Sequence, residues 1–197
     1  SLIGAHNWQN AAAALASVAA LGCPVKQAAA ALPGFPGLAH RLEDVGGAAG
    51  LRFINDSTAT NADAAERALA CFDRIVWIAG GRAKAGGIES LRPYFDRIGH
   101  AYLIGEAAEM FAATLGRDVP CTISGDLESA VNAALDFALA ENIAAPINIA
   151  APVVLLSPAA ASFDQFASFE VRGDRFRDLV ADLGALHAGA GAAGGAA

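Results

Sequence analysis

Three short stretches of this chain carry the groups that could hold an anion: Asn55–Asn61 (NDSTATN), Gly80–Gly87 (GGRAKAGG) and Ser157–Phe169 (SPAAASFDQFASF). The first sets one carboxylate, Asp56, among the hydroxyls of Ser57, Thr58 and Thr60. Such hydroxyls cap the free N–H groups of a helix start as readily as they bind a ligand, so both readings stand. The second stretch holds Lys84, one of only two lysines beside Lys26; arginine supplies the other basic residues. Its glycines match neither the P-loop nor the GxGxxG spacing, which makes them a weak phosphate cradle, and a loop lysine is most often simply solvated. In the third, Ser157-Pro158 ends an apolar run, and Ser162 and Asp164 offer oxygens to a helix start. Strand, small-residue turn and helix N-terminus together aim N–H groups and the helix dipole at one place where an anion binds. A capped connection in any α/β protein has the same pattern. No histidine follows these serines in a triad-like context, which argues against nucleophilic serine chemistry.

Each stretch must be positioned by a strand before it and a helix after it. The pattern predicts helices over Asn10–Leu21 and Val25–Ala31, with Asn7 as a cap, then a helix-breaking linker at Gly34–Gly37. Beyond it, strands are expected at Arg41–Val45, Leu51–Ile54, Ile75–Ala79, Ala101–Ile104, Pro120–Ile123 and Val153–Leu156. Helices are expected at Ala62–Cys71, Ile88–Asp96, Ala107–Leu115, Leu127–Glu141 and Gln165–Leu183. This alternation predicts an α/β fold: a Rossmann-like, mostly parallel sheet with helices on both faces. The turn at Gly46–Gly50 is too short for a crossover, so one strand beside it should be antiparallel. In an open sheet of this kind the ligand site lies outside the carboxyl ends of the strands, where all three stretches fall. The expected organisation is a helical part at 1–35, an α/β domain at 36–186 and a disordered Ala/Gly tail at 187–197.

Composition narrows the function. A net charge of −7, with basic residues scattered singly, argues against a nucleic-acid partner. No signal peptide and no apolar run long enough for a bilayer stands out, so no membrane role is expected. Cys23, Cys71 and Cys121 fit neither a zinc nor a disulfide pattern and read as buried reduced thiols in a cytosolic protein. His6 and His40 read as structural, His100 and His187 as exposed, and no metal spacing links them.

Several blocks, in order, resemble the C-terminal part of the Mur ligases of peptidoglycan synthesis, in their D-glutamate-adding branch. They are GAHNWQNAAAALA (Gly4–Ala16), GLAHRLEDV (Gly37–Val45), FINDSTATNADAAERAL (Phe53–Leu69), WIAGGRAKAGGIESL (Trp77–Leu91) and SPAAASFDQFASFEVRGDRF (Ser157–Phe176). The resemblance implies an ATP- and Mg²⁺-dependent amide-bond ligase of the bacterial cytoplasm. In it ATP phosphorylates the carboxylate of UDP-N-acetylmuramoyl-L-alanine, and the amine of D-glutamate attacks the acyl phosphate.

The same resemblance implies roles residue by residue. Thr60, Lys84, Ser162 and Phe169 would contact D-glutamate, Phe169 through its backbone N–H. Asn10 and Arg41 would bind the adenine end of ATP, with Asp56 near the nucleotide. The family usually carries lysine where Thr58 stands and often cysteine where Ala160 stands, so a positive charge is missing at 58. No catalytic base stands out. The phosphate-binding GxxGK[ST] loop, the magnesium ligands and the uridine-nucleotide domain are not among these residues, so 1–35 is expected to be the end of a central ATP-binding domain. On this reading the chain, as it stands, would need the N-terminal and central domains of the enzyme to turn over. The alternative is a non-catalytic α/β module for another acidic ligand. A dinucleotide-binding enzyme is disfavoured, since Asn55–Asn61 contains no glycine.

Overall fold

The computed structural model describes residues 2–48, 50–144 and 151–193. Six strands form one sheet: β1 (Glu43–Ala48), β2 (Leu51–Asn55), β3 (Ile75–Gly80), β4 (Ile98–Ile104), β5 (Cys121–Gly125) and β6 (Val153–Leu156). Their order is β1-β2-β6-β3-β4-β5. β1 runs antiparallel to β2, with a bulge between Asp44 and Gly47, and every other pairing is parallel. The turn expected at Gly46–Gly50 is narrower, because β1 continues to Ala48; position 49 lies outside the described residues.

Period-two alternation sorts the side chains of the central strands onto two faces. Ile75, Trp77 and Ala79 of β3, with Val153 and Leu155 of β6, enter one core. That core is covered by α3 (Ala62–Leu69), a 3-10 helix (Glu89–Arg97) and α4 (Ala108–Leu115). Val76, Ile78, Val154 and Leu156 face the other core, under α5 (Leu127–Ala144) and α6 (Phe169–Ala193). Both faces are buried, which is why β3 and β6 read as unbroken apolar runs. The helical pair α1 (Ala5–Ala20) and α2 (Val25–Ala31) precedes the sheet.

Several expectations need correction. α1 begins at Ala5, so Asn7 lies within the helix; Gly4 occupies the cap position without a side-chain bond. The segment expected as a helix over Ile88–Asp96 is 3-10, because Pro93 lacks the N–H that an α-helical ladder requires there. α6 begins at Phe169, four residues later than expected, since a tight turn intervenes in which the Ser162 carbonyl accepts from the Gln165 and Phe166 N–H groups. The cap of α6 is therefore Ser168, whose Oγ accepts from the Val171 N–H at 3.3 Å, not Ser162 or Asp164. The tail expected to lack structure from His187 is helical as far as Ala193, and 194–197 lie outside the described residues. Alanine is the best helix former, and extending an anchored helix adds a hydrogen bond for each residue fixed. The thiols are free but not buried: Cys23 is exposed, and Cys71 and Cys121 are half-buried. His100 is half-buried rather than exposed; its Nε2 lies 2.9 Å from Thr122 Oγ1, and its ring packs on Tyr102 and Phe137.

Candidate functional site

The strand order brings the three stretches together. β2, β6 and β3 are neighbours in the sheet, so the loops that leave their carboxyl ends share one rim. Backbone bonds stitch these loops to one another. The Asp56 N–H donates to the Leu156 carbonyl (2.8 Å), and the Gly80 N–H to the Pro158 carbonyl (2.8 Å). Arg82 and Ala161 exchange two further bonds of 2.8 and 2.9 Å. α3 is capped by Asn61, whose Oδ1 accepts from the Ala64 N–H at 2.9 Å. That cap is Asn61, so the hydroxyls of Ser57, Thr58 and Thr60 are not used for it.

Asp56 is buried at the base of this rim. Its Oδ2 accepts from Ser157 Oγ (2.8 Å) and its Oδ1 from the Leu42 N–H (3.2 Å). Burial pushes its carboxyl up to about 6, against the lowering pull of the Ser157 hydroxyl, the Leu42 N–H and the nearby Arg41 charge. The bond to Leu42 has a further consequence. His40 and Leu42 both hold positive φ, 60° and 45°, a conformation costly for side chains with a Cβ. The turn is sustained by Asp56 at Leu42 and by Glu43 Oε2, which accepts the His40 N–H at 2.8 Å. It aims Arg41 outward from between two fixed residues.

Arg41 borders two cavities. One, of about 300 Å³, is lined by His6, Arg41, Asp56, Thr58, Asn61 and Arg67 among others. Burial and the charges of Arg67 and Arg41 hold the His6 imidazole below its ordinary range, which favours the neutral form. The other, of about 280 Å³, is more apolar; Leu2, Leu32, Phe35 and Leu38 line it together with Asn7, Asn10 and Arg41. Asn10 and Arg41, distant in sequence, thus meet in one cleft. Asn7 Nδ2 donates to the Ile3 carbonyl (2.7 Å), and its Oδ1 accepts from Asn10 Nδ2 (3.5 Å). Thr58 lines the first cavity; Thr60 is half-buried and lines neither.

Ser162 is buried, and its Oγ has no hydrogen-bond partner among the described residues. Phe169 is half-buried at the first turn of α6, where its carbonyl accepts from Ser57 Oγ at 2.8 Å. Lys84 is exposed on its loop and lines neither cavity. Among the described residues no three His, Cys, Asp or Glu side chains cluster as a metal ion would require.

Two features go beyond the sequence reading: His40 is the structural histidine expected there, but its network was not legible, and Arg172 was not singled out. His40 is buried in a network in which Asn55 Nδ2 meets its Nδ1 (3.1 Å), Glu43 Oε2 (3.3 Å) and the Gly173 carbonyl (3.1 Å), and Arg177 clamps Glu43. The second is Arg172, fully buried, with Nε on Ser57 Oγ (2.9 Å), Nη2 on the Ser57 carbonyl (2.9 Å) and Nη1 on the Ala160 carbonyl (3.1 Å). Burial lowers its guanidinium to about 10, so it stays charged at neutral pH. A signal for it was present: Arg172 lies four residues before Phe176 and seven before Leu179, on the buried stripe of α6.

A mostly parallel sheet covered on both faces, with polar groups gathered at the carboxyl ends of its central strands, defines an α/β domain of the doubly wound class. The family description "Mur ligase, glutamate ligase domain" matches residues 40–160. The chain belongs to the Mur ligase family. It is 57% identical over 180 residues to the UDP-N-acetylmuramoylalanine–D-glutamate ligase of Paramagnetospirillum magneticum, covering 91% of this chain and 38% of that relative. It is 53% identical over 190 residues to the same-named ligase of Rhodospirillum rubrum, covering 96% of this chain and 39% of the relative. The chain therefore spans under two-fifths of the length of these curated relatives. Among solved structures, a UDP-N-acetylmuramate–alanine ligase of Thermotoga maritima superposes with a TM-score of 0.58 at 17% identity, over 89% of this chain and 37% of that one. A folylpolyglutamate synthase from the same organism gives 0.54 at 14%, over 90% and 39%. At such identities these two speak for the fold alone. No helix among the described residues is long and apolar enough to cross a membrane.

Proposed function

We propose that this chain supplies the D-glutamate-binding share of an ATP-dependent ligase that extends UDP-N-acetylmuramoyl-L-alanine. The observation that carries the reading is the convergence of three loops on adjacent strands around a buried hydroxyl, Ser162 Oγ, that has no partner among the described residues. A buried polar atom left unpaired costs about 1–3 kcal/mol, and a ligand carboxylate would satisfy it. Lys84 is exposed on the adjoining loop, where a second carboxylate would meet it, with Thr60 and the Phe169 N–H completing the set. Thr58 is uncharged, so on this reading Lys84 carries more of the attraction for the substrate carboxylate. The apolar cleft shared by Asn10 and Arg41 fits a flat heterocycle with polar edges, and we assign it to the adenine of ATP. ATP supplies the phosphoryl group that activates the acceptor carboxylate; Mg²⁺ ligands are not assigned within this chain. The residues here hold and orient D-glutamate so that its amine faces the activated carbonyl. The helical part, 1–35, closes the end of a central domain, and 36–186 forms the glutamate domain, in the cytoplasm.

Lys84→Ala in the complete ligase tests the site. One charge-assisted bond is worth about 1.5–3 kcal/mol, so KM for D-glutamate should rise roughly 10- to 150-fold while KM for ATP stays near the wild-type value. An unchanged D-glutamate KM removes Lys84 from the site. Equal binding of D- and L-glutamate by calorimetry would favour an acidic-ligand module instead. The proposed division also predicts where a protease cuts first. Leu32–Gly34 is a single 3-10 turn and Gly37 holds φ +91°, so limited proteolysis should nick Gly34–Gly37 before any bond within Leu51–Leu156.

A further inference from the structure

We propose that Arg67 on α3 is a phosphate-binding residue, meeting the phosphate of the nucleotide whose adenine occupies the cleft beside Asn10. The inference rests on the adenine assignment above and names a residue that reading does not use. Arg41 borders both cavities, the apolar one together with Asn10 and the more polar one together with Arg67 and His6. A ligand with a flat base in the first and a charged stem in the second passes Arg41 on the way. The polar cavity, of about 300 Å³, is thus the anionic half of one nucleotide site.

The two arginines of this cavity stand apart from most others in the chain. Arg52, Arg82, Arg92, Arg175 and Arg177 each pair with a carboxylate. Among the described residues neither Arg41 nor Arg67 has a carboxylate oxygen within 4.0 Å of its guanidinium. Asp63 stands four residues before Arg67 on α3, a spacing at which opposite charges meet on a helix face, yet the two are not paired. The Arg67 side chain lines the cavity instead, as Arg41 does from the turn that Asp56 and Glu43 sustain. His6, which lines the same cavity, feels both charges, so the two guanidinia act on one small region. Two carboxylates are present as well. Asp56 is engaged with the Ser157 hydroxyl and the Leu42 N–H, and Asp63 lies exposed in the first turn of α3. Thr58 adds a hydroxyl and no charge, so the second positive charge of this cavity comes from α3. Each guanidinium carries its donors in a planar fork that matches two phosphate oxygens at once.

The test uses the complete ligase, titrated calorimetrically with AMP and, in parallel, with adenosine, which has the same base and sugar but no charge. Arg67→Ala should weaken AMP roughly three- to tenfold, the loss expected of one partly solvated guanidinium, and leave adenosine near the wild-type value. Arg67→Lys keeps the charge without the fork and should recover part of the AMP affinity. Added salt should shrink the preference for AMP over adenosine more steeply in wild type than in Arg67→Ala, because the charge it screens is absent from the variant. Arg67 is exposed, so neither substitution disturbs the core, and thermal melts check that both variants are folded. An AMP affinity unchanged in Arg67→Ala overturns the proposal. An equal loss for AMP and adenosine does so too, since it marks an arginine that only shapes the cleft. Asn10→Ala separates the underlying reading. Adenosine that the wild-type ligase does not bind, or binds equally well without the Asn10 side chain, overturns the adenine assignment and the proposal with it. Adenosine weakened by Asn10→Ala, with AMP indifferent to Arg67→Ala, overturns the proposal alone.

Discussion

Gly81→Ala should destabilise this chain by about 4 kcal/mol, the sum of the strain at a backbone conformation reserved for glycine and the displacement of packed backbone. Gly81 holds φ +126°, and a Cβ there would overlap the Ala161 carbonyl oxygen. That oxygen cannot retreat, since it accepts the Arg82 N–H at 2.8 Å in the bridge between the β3 and β6 loops. The Gly81 N–H is itself spent on the Ile104 carbonyl (3.0 Å), and its carbonyl accepts from the Ala107 N–H (2.8 Å), so the residue is fixed from both ends. For a chain of this length the loss corresponds to a melting temperature lower by roughly 8–16 °C. Gly86→Ala is the matched control. Its φ is +93° but nothing lies within 4 Å of its Cβ, so only the strain of about 1–2 kcal/mol should remain. Thermal melts of the two variants measure the difference. Equal losses would mean that the β3 and β6 loops are not locked together, and the shared rim would lose its rigidity.

The glycines of Gly80–Gly87 therefore serve a different physical need from the one their density suggests. They let β3 and β6 exit side by side, which sequence spacing alone does not reveal. β3 and β6 were legible as strands because both faces are buried and every residue is apolar; the antiparallel β1 was legible from a turn too short for a crossover. The position of β6 between β2 and β3 was not legible, since period and length report which face is buried but not which neighbour is paired. Caps were misread for a related reason. Ser57, Thr58, Thr60 and Asn61 all have the right oxygen, and only the backbone angle at Asn61 selects it. Arg172 was hidden among the charges of EVRGDRFRD, where a buried arginine and a solvated one look alike until the helix is phased by Phe176 and Leu179. Asn10 and Arg41 were linked only by resemblance, and the cleft they share supplies the geometry that composition could not.

Asp56→Asn should make the chain more stable than wild type at pH 8 and slightly less stable in acid, by the cost of the altered Ser157 bond. The folded carboxyl titrates at about 6, against 3.8 unperturbed, because burial disfavours its charge more than Ser157, Leu42 and Arg41 favour it. Between those two values the folded state keeps a proton that the unfolded state has released. Stability therefore falls as pH rises across the window and stays low above it, the opposite of an ion-paired aspartate. The full span corresponds to about 3 kcal/mol. Asparagine preserves the shape, with Oδ1 available to the Leu42 N–H and Nδ2 to Ser157 Oγ, and never ionises. Rearranging the Ser157 bond costs about 1 kcal/mol of that span, which leaves a gain of about 2 kcal/mol at pH 8. Denaturant unfolding of both proteins at intervals from pH 4 to pH 8 should show wild-type stability declining relative to the variant as pH rises, with most of the change below pH 7. Parallel curves would mean that Asp56 is not the titrating group. A buried carboxylate held ionised at such cost, on the wall of a cavity beside Arg41, His6 and Arg67, is the kind of strain that a site retains for what it binds. The same variant in the complete ligase should accordingly lose activity while gaining stability, if the charge removed serves the site proposed here.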